Sequence, residues 1–441
     1  MEKEASRNEI IDNKIEIFAL GIDFANDYTQ ISAIGTNDKK PVSLSTLKGD
    51  RRYLIPTVLY KKKEINEWCI GDGAVQLNYD DNDDSQTVKN IVDIIAGNEA
   101  VLIEDKLYSP QEIINIFFKE LFIYAKRNLN AGMIHQVAIT IENLEKRVVD
   151  SIYEAVTQCG FAKENIRVIS HAEAFIYYTI NQDRDVWVND VAVFDFNGDH
   201  FYYKRLGLVR GKKEKIIEVS DMDLSGIISM DMLYENDARV RADNIFCDFI
   251  IEEFRKHITS AVFLTGVGFY KDWAAKSLGE MCTVKRRVFK GYNLYVQGAC
   301  YAAYKRYKRI NAVDHIFKCV GRTDADIGLM IEHEGRNIVM LLSKAGTNWY
   351  DAGAQVECIV DNIEQIQFVF SPIISNIQRN VVIDLSPLPK RKNKTTRIRI
   401  SIAYRSENVC DIEIKDLGFG DFAKATDVVI KETVDINDLL L

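Results

Sequence analysis

Two aspartates stand where apolar runs stop. Asp23 closes KIEIFALGID, and Asp195 falls near the end of VAVFDF. Each is followed by a short polar turn and then by a second β-type run. The turns are Phe24-Ala25-Asn26-Asp27 and Asn197-Gly198-Asp199, and the runs are YTQISAIG and HFYYKRL. Two such runs joined by a short turn predict a hairpin. Carboxylates at strand ends can hold a divalent cation and, through it, phosphate. The plainer role for each is to cap its own turn. The two units lie about 170 residues apart, and each is followed by helices, which suggests internal duplication.

Other groups offer less chemistry. Asp80, Asp81, Asp83 and Asp84 form an acidic run without the glycine and terminal glutamate of a calcium loop, so a solvated loop is expected. Lys390, Arg391, Lys392 and Lys394 form a basic turn with no interleaved aromatic platform, and read as an exposed hairpin loop. Tyr301, Tyr304 and Tyr307 fall on one helix face. Gly266-Val267-Gly268 is only a fragment of a glycine-rich loop. No Ser/His/Asp order, HExxH, Walker loop or GxGxxG stands out.

The elements that must position these residues alternate in type. After IPTVLY, Ser109-Pro110 opens a helix with a natural cap and proline at its first position. Ile113, Ile114, Phe117, Phe118, Leu121 and Phe122 recur at helical spacing and predict its buried face. Strand Gln136–Ile141, helix 144–159, strand Ile166–Ile169 and helix Ala172–Ile180 are expected next. A buried strand, SAVFLTG, and a helix over 291–308 follow. Such alternation points to an α/β layer architecture. From Ile327 onward strand patterns dominate. Ile398, Ile400, Ile402 and Tyr404 alternate with Arg397, Arg399 and Ser401, the mark of a half-buried antiparallel strand. The reading is an α/β domain over 1–312, a linker over 313–326, a β-sandwich over 327–432 and an acidic-apolar tail over 433–441. That tail is either untethered or a short partner-binding motif.

Composition narrows the class. Lys and Arg number 56 against 65 Asp and Glu, for a net charge of −9. This balance disfavours nucleic acid as the main partner. No run reaches the ~18 apolar residues of a membrane span, and the polar N-terminus does not read as a signal peptide. The eight cysteines form no CxxC. Buried thiols in a reducing cytoplasm are the expectation.

In order and spacing these segments resemble the 70-kDa heat-shock chaperone family. Gly21-Ile22-Asp23 is similar to its first phosphate hairpin and Val193-Phe194-Asp195 to its second. IPTVLY with Ile70-Gly71 and Ala74, YSPQEI at 108–113, QVAITI at 136–141, Phe263-Leu264-Thr265-Gly266 at the adenosine loop and Gly298-Ala299 after it extend the likeness. Leu388-Pro389 and Lys415-Asp416-Leu417-Gly418 extend it through the sandwich. The resemblance implies an actin-like domain made of two ribonuclease-H-like halves, followed by a peptide-binding β-sandwich. It implies ATP and Mg²⁺ at Asp23, Ala25, Asn26, Asp27, Asp195, Asn197, Gly198, Asp199, Gly266 and Gly268, with the metal at Asp23 and Asp195. It places Lys89 at the catalytic lysine and His171 at the loop glutamate.

Departures from the family pattern change the expectation. Its DxGTT is here Asp23-Phe24-Ala25-Asn26-Asp27, and its DxGGGT is Asp195-Phe196-Asn197-Gly198-Asp199-His200. The missing glycines would have let backbone N–H groups approach phosphate. At ~5 Å and an effective dielectric of ~20, each added carboxylate repels a phosphate charge by about 3 kcal/mol. About 70 residues separate Asp195 from Gly266, fewer than the family uses to clamp adenine, and the helical lid is expected to be absent. The expected function is therefore a cytoplasmic chaperone-like protein with a degenerate nucleotide site and no cofactor. Its sandwich would hold a client peptide, with a co-chaperone as a further partner. The alternatives are an active ATP- and Mg²⁺-dependent chaperone, and an actin-like filament or scaffold protein.

Overall fold

The computed structural model describes residues 14–46, 52–63, 65, 67–81, 84–198, 200–211, 214–308, 315–361, 363–375, 377–392 and 394–440. The chain divides into two compact units, one of residues 1–207 and 219–313, the other of 208–218 and 314–441.

The first unit contains two sheets with the same strand plan. In one, β1 (Ile15–Phe24) turns back antiparallel on β2 (Tyr28–Gly35). Its other edge runs parallel with β3 (Ala131–Ile141), which is followed outward by β4 (Ile166–Ser170). In the other, β5 (Asp190–Asn197) turns back on β6 (His200–Val209). It pairs in parallel with β7 (Thr259–Thr265), and β8 (Arg287–Lys290) lies outside that. The central strands are buried on both faces, which explains their unbroken apolar runs.

Register makes the correspondence specific. Asp23 lies opposite Gln30 across its hairpin and Thr140 on its parallel side. Asp195 lies opposite Tyr202 and Thr265 in the same two directions. The two aspartates therefore occupy matching positions, each one strand away from a polar residue and a threonine.

Helices cover these sheets. They are α1 (Ile91–Gly97), α2 (Pro110–Asn128), α3 (Lys146–Gln158), α4 (His171–Ile180), α5 (Asn236–Lys256) and α6 (Leu294–Tyr307). Helix α2 begins with a capping box: Ser109 accepts from the Glu112 N–H, and the Glu112 carboxylate accepts in return from the Ser109 N–H. All six apolar residues of its expected face are buried. Helix α6 packs on β1 and α4.

The sequence reading needs several corrections here. The 21 residues of α5 lie between Asp195 and Gly266. They bury Ala238, Ala242, Phe246, Ile250 and Phe254 at every fourth position, and the last four enter an aromatic core with Phe194, Phe201 and Trp273. Asp80 and Asp81 end a helix, Gly71–Asp81, instead of forming a loop, and Tyr60 donates to Asp81. Asp83 lies outside the described residues.

The second unit holds two four-stranded antiparallel sheets. One contains Arg336–Ser343, Ala325–His333, Gln365–Pro372 and Arg379–Asp384. The other contains Ala354–Val360, Thr396–Tyr404, Val409–Gly418 and Val429–Asp435. Ile327, Phe368 and Phe370 of the first share one core with Ile398, Ile400, Ile412 and Ile414 of the second. The stretch expected as a linker contains a strand, His315–Lys318, paired in parallel with Lys215–Glu218. Phe317 is buried there. The expected tail is anchored as well. Val434 and Ile436 enter the core, and Arg379 donates to the Leu439 carbonyl at 2.7 Å. Leu441 lies outside the described residues.

The basic turn is also not simply exposed. Arg391 leaves Lys390, Lys392 and Lys394 in solvent and pairs with the buried Asp416. Both guanidinium nitrogens donate, each at 2.7 Å.

Candidate functional site

The ends of the two hairpins meet over a cleft of about 430 Å³ within the first unit. Of the residues singled out from sequence, Asp23, Ala25, Asn26, Asp27, His171, Asp195, Asn197, Gly198 and Gly266 line it. Asp199 lies outside the described residues. Lys89 is not in the lining; its exposed ammonium sits 3.8 Å from Asp84. Gly268 is set back from the cleft, where a Cβ would meet the Phe196 ring at 2.5 Å. Gly266 has a φ of 94°, and a Cβ there would fall 2.3 Å from the Phe196 carbonyl oxygen. Only glycine lets that loop cross so close to β5.

The turn residues are engaged within the protein. The Asn26 side-chain oxygen accepts from the Val92 N–H at 2.9 Å and the Asp93 N–H at 3.3 Å, so it caps α1. Asn197 donates to Asp195 at 2.7 Å and accepts from the Val267 N–H at 3.0 Å. It thereby stitches the second hairpin to the Gly266 loop.

Asp23 is also engaged. His171, the first residue of α4, reaches it through Nε2 at 2.9 Å, and both side chains are buried. The imidazole stacks on Tyr295 of α6, with ring centres 4.1 Å apart and planes 5° from parallel. The Tyr295 hydroxyl lies beside the Asp195 carboxylate and makes no hydrogen bond of ordinary geometry. A chain of side chains, Asp23–His171–Tyr295–Asp195, thus connects the ends of the two central strands.

The electrostatics follow from burial and like charge. Burial works against protonating His171. The charge and hydrogen bond of Asp23, with Asp195 and Glu142 nearby, outweigh it and raise the imidazole above its ordinary 6.5. Burial raises the Asp195 carboxyl, opposed by His171 and Lys204. Burial, with Glu142 and Asp223, pushes the Tyr202 phenol up to about 12. A raised histidine stabilises the fold fully below its unfolded value, near 6.5, and loses that contribution as pH rises through its higher folded value. We expect the His171 imidazole to titrate above its ordinary 6.5. A proton NMR titration assigned through His171→Gln reads this directly, and a midpoint below 6.5 would contradict it.

Sequence reasoning missed Gln30, Glu142, Tyr202, Tyr292 and Tyr295, all of which line the cleft. Gln30 donates from Nε2 to the Tyr292 carbonyl at 2.7 Å, while its side-chain oxygen is buried with no partner. Its signal was position: it is the cross-strand neighbour of Asp23, as Tyr202 is of Asp195. Asp23, Asp27, Asp93, Glu142 and Asp195 make the lining acidic, and among the described residues no lysine or arginine joins them. Among the described residues no group of three or more His, Cys, Asp or Glu side chains is gathered as a metal site.

Comparison with known proteins places this architecture in two adjoining classes of sequence. Residues 322–436 match a domain of unknown function, DUF8552. Residues 40–320 match the C-terminal part of a family of unknown function, DUF5716, and the chain belongs to that family. No curated protein matches significantly. Among the described residues no helix is long and apolar enough to cross a membrane.

Proposed function

We propose that this is a cytoplasmic, chaperone-like scaffold protein whose first unit has the actin-like plan of the 70-kDa heat-shock family without its nucleotide chemistry. The observation that carries this reading is the state of the two turns. Asn26 and Asn197 are tied to backbone N–H groups of the protein itself, and Asp27 stands beside the turns as a further carboxylate. ATP brings about four negative charges, and such a rim repels them at about 3 kcal/mol per close pair. The residues present do not fit a magnesium nucleotide. Asp23 is bound to His171, and among the described residues no lysine or arginine lines the cleft.

The second unit supports the holding role. Its edge strand Arg336–Ser343 exposes Ile338, Val339 and Leu341. An apolar edge of this kind accepts an extended segment by strand addition, with main-chain hydrogen bonds giving affinity. A client peptide is the expected partner.

Titration calorimetry of the full-length chain with ATP, with and without Mg²⁺, tests the reading. No heat up to about 1 mM ATP, and an unchanged melting temperature, is the expected result. Micromolar, Mg²⁺-dependent binding would overturn it in favour of an active ATP-dependent chaperone.

A further inference from the structure

Two neighbouring loops of the second unit form a surface that the proposed function does not use. We propose that this surface docks the protein on a membrane rich in anionic lipid, with Phe422 as a wedge and the lysines beside it as the electrostatic contact. The inference is independent of the reading of the cleft.

Exposure comes first. Phe422 is 88% exposed, more than any other large apolar side chain among the described residues. It sits in a tight turn, 419–423, just after Val409–Gly418. The turn is braced. The Phe419 N–H donates to the Ala423 carbonyl at 2.7 Å, and the Phe422 N–H donates to the Phe419 carbonyl at 3.3 Å. Gly418 bends the chain with a φ of 65°, and a Cβ there would fall 2.4 Å from the Ala423 carbonyl oxygen. The buried Asp416 closes the base of the loop. It accepts from the Gly418 N–H on one side and from the Thr426 N–H and hydroxyl on the other. A ring held out on a clamped turn is poorly placed in water, and its backbone has little freedom left to lose on docking.

The second observation is charge. Arg391 fastens the basic turn to this loop, donating to Asp416 and to the Lys424 carbonyl. The aromatic that the basic turn lacks in its own sequence is thereby supplied by its neighbour. Lys390, Lys392, Lys394 and Lys424 are exposed. Lys394 lies 3.6 Å from Asp361, and among the described residues the other three form no ion pair. Of the acids flanking the two loops, Asp416 is paired with Arg391, and Asp384 accepts from the Ser386 N–H and hydroxyl. Asp421 and Asp427 lie open to solvent. Within the loops themselves the lysines are in excess, against a net charge of −9 for the chain.

An aromatic ring and lysines on one protrusion suit the bilayer interface. The ring enters the boundary between headgroups and acyl chains, and the ammonium groups stay with the anionic headgroups. Lysine stems are long enough to lie along such a plane while their charge remains in water. Nucleic acid is a poorer fit, because strand binding by stacking uses several aromatic faces along a basic groove, and these two loops expose a single ring of this kind. One wedge with a few lysines gives reversible docking, not insertion. It needs no helix that crosses the membrane.

The experiment is co-sedimentation of the full-length chain with vesicles of equal parts phosphatidylserine and phosphatidylcholine, and with vesicles of phosphatidylcholine alone, at low and at physiological salt. A single-stranded oligothymidylate is run in parallel. Phe422→Ser, Phe422→Trp and a Lys390→Gln, Lys392→Gln double variant are compared with the parent, each checked for an unchanged melting temperature. The proposal expects binding to the mixed vesicles, weakened by salt and absent on phosphatidylcholine alone. Phe422→Ser should bind about tenfold more weakly. The double lysine variant should lose about 25-fold, roughly fivefold per lysine. Phe422→Trp should keep the affinity of the parent, since tryptophan also favours the interface. Three results would overturn the proposal. The parent fails to bind the mixed vesicles at low salt; parent and variants bind them equally; or the oligothymidylate is bound and the vesicles are not, which would make the surface one for nucleic acid.

Discussion

Arg391→Ala is expected to cost the second unit about 3–5 kcal/mol, enough to unfold it under mild conditions. Asp416 is 0% exposed and its carboxylate has five donors. Arg391 supplies two, at 2.7 Å each; the Gly418 N–H, the Thr426 N–H and the Thr426 hydroxyl supply the rest, at 2.8–3.0 Å. Arg391 also donates to the Lys424 carbonyl at 2.6 Å. Removing the guanidinium leaves a buried carboxylate without its counter-charge, the arrangement proteins tolerate least. Amide hydrogen exchange over Thr396–Tyr404 and denaturant unfolding measure the loss; a change under about 1 kcal/mol would show the pair to be a surface-like contact.

The same pair sets an acid limit. Burial alone would raise the Asp416 carboxyl, but Arg391 and the Gly418 and Thr426 donors outweigh it and hold it far below the ordinary carboxylate range. A depressed carboxyl contributes stability above its unfolded value, about 3.9, and loses it as pH falls toward the lower folded value. The second unit of the parent should therefore weaken only below about pH 4. Arg391→Ala should weaken at a higher pH, because its Asp416 has lost the charge that keeps it ionised.

Gly298→Ala should be strongly disruptive to the first unit. A Cβ at Gly298 falls 2.0 Å from the Ala174 carbonyl oxygen and 3.1 Å from the Ala174 Cα. Both obstacles are backbone, so no side chain can rotate out of the way, and α6 must move off α4. A cost of about 1–3 kcal/mol or more is expected. The move also separates Tyr295 on α6 from His171 on α4, so the His171 proton resonance should shift with the loss of stability. Gly279→Ala is the matched control. A Cβ there meets nothing within 4 Å, and in a helix it should be neutral or stabilising by about 0.5–1 kcal/mol. Equal behaviour of the two variants would mean that the close helix contact is not a real constraint.

Local patterns were the legible part of this chain. The capping box of α2, both hairpins and the alternation of Thr396–Tyr404 are written in neighbouring residues and needed no knowledge of the rest. Asp23, Asp195 and the turn residues were legible for the same reason, since each closes a run. Helix α5 was readable in principle from its apolar fourth-residue spacing, but its charged residues mask it and two acids, Asp243 and Glu253, are themselves buried. Glu142, Gln30 and Tyr295 were not legible. Glu142 follows a strand and Tyr295 lies in a helix, each brought to the cleft by contacts between segments over 100 residues apart, whereas Gln30 faces Asp23 across its own hairpin and its type alone gives no signal. Arg391 misled because its neighbours are true surface lysines, and only the register of Val409–Gly418 places Asp416 beneath it.

The side-chain chain from Asp23 through His171 and Tyr295 to Asp195 has a mechanical meaning. A machine that opens and shuts its jaws at every cycle needs a hinge at their root. Here the root carries a rivet: a hydrogen-bonded pair locked to a stacked ring, buried from solvent. On the solvent side the cleft is bordered by the exposed Tyr28 and His200.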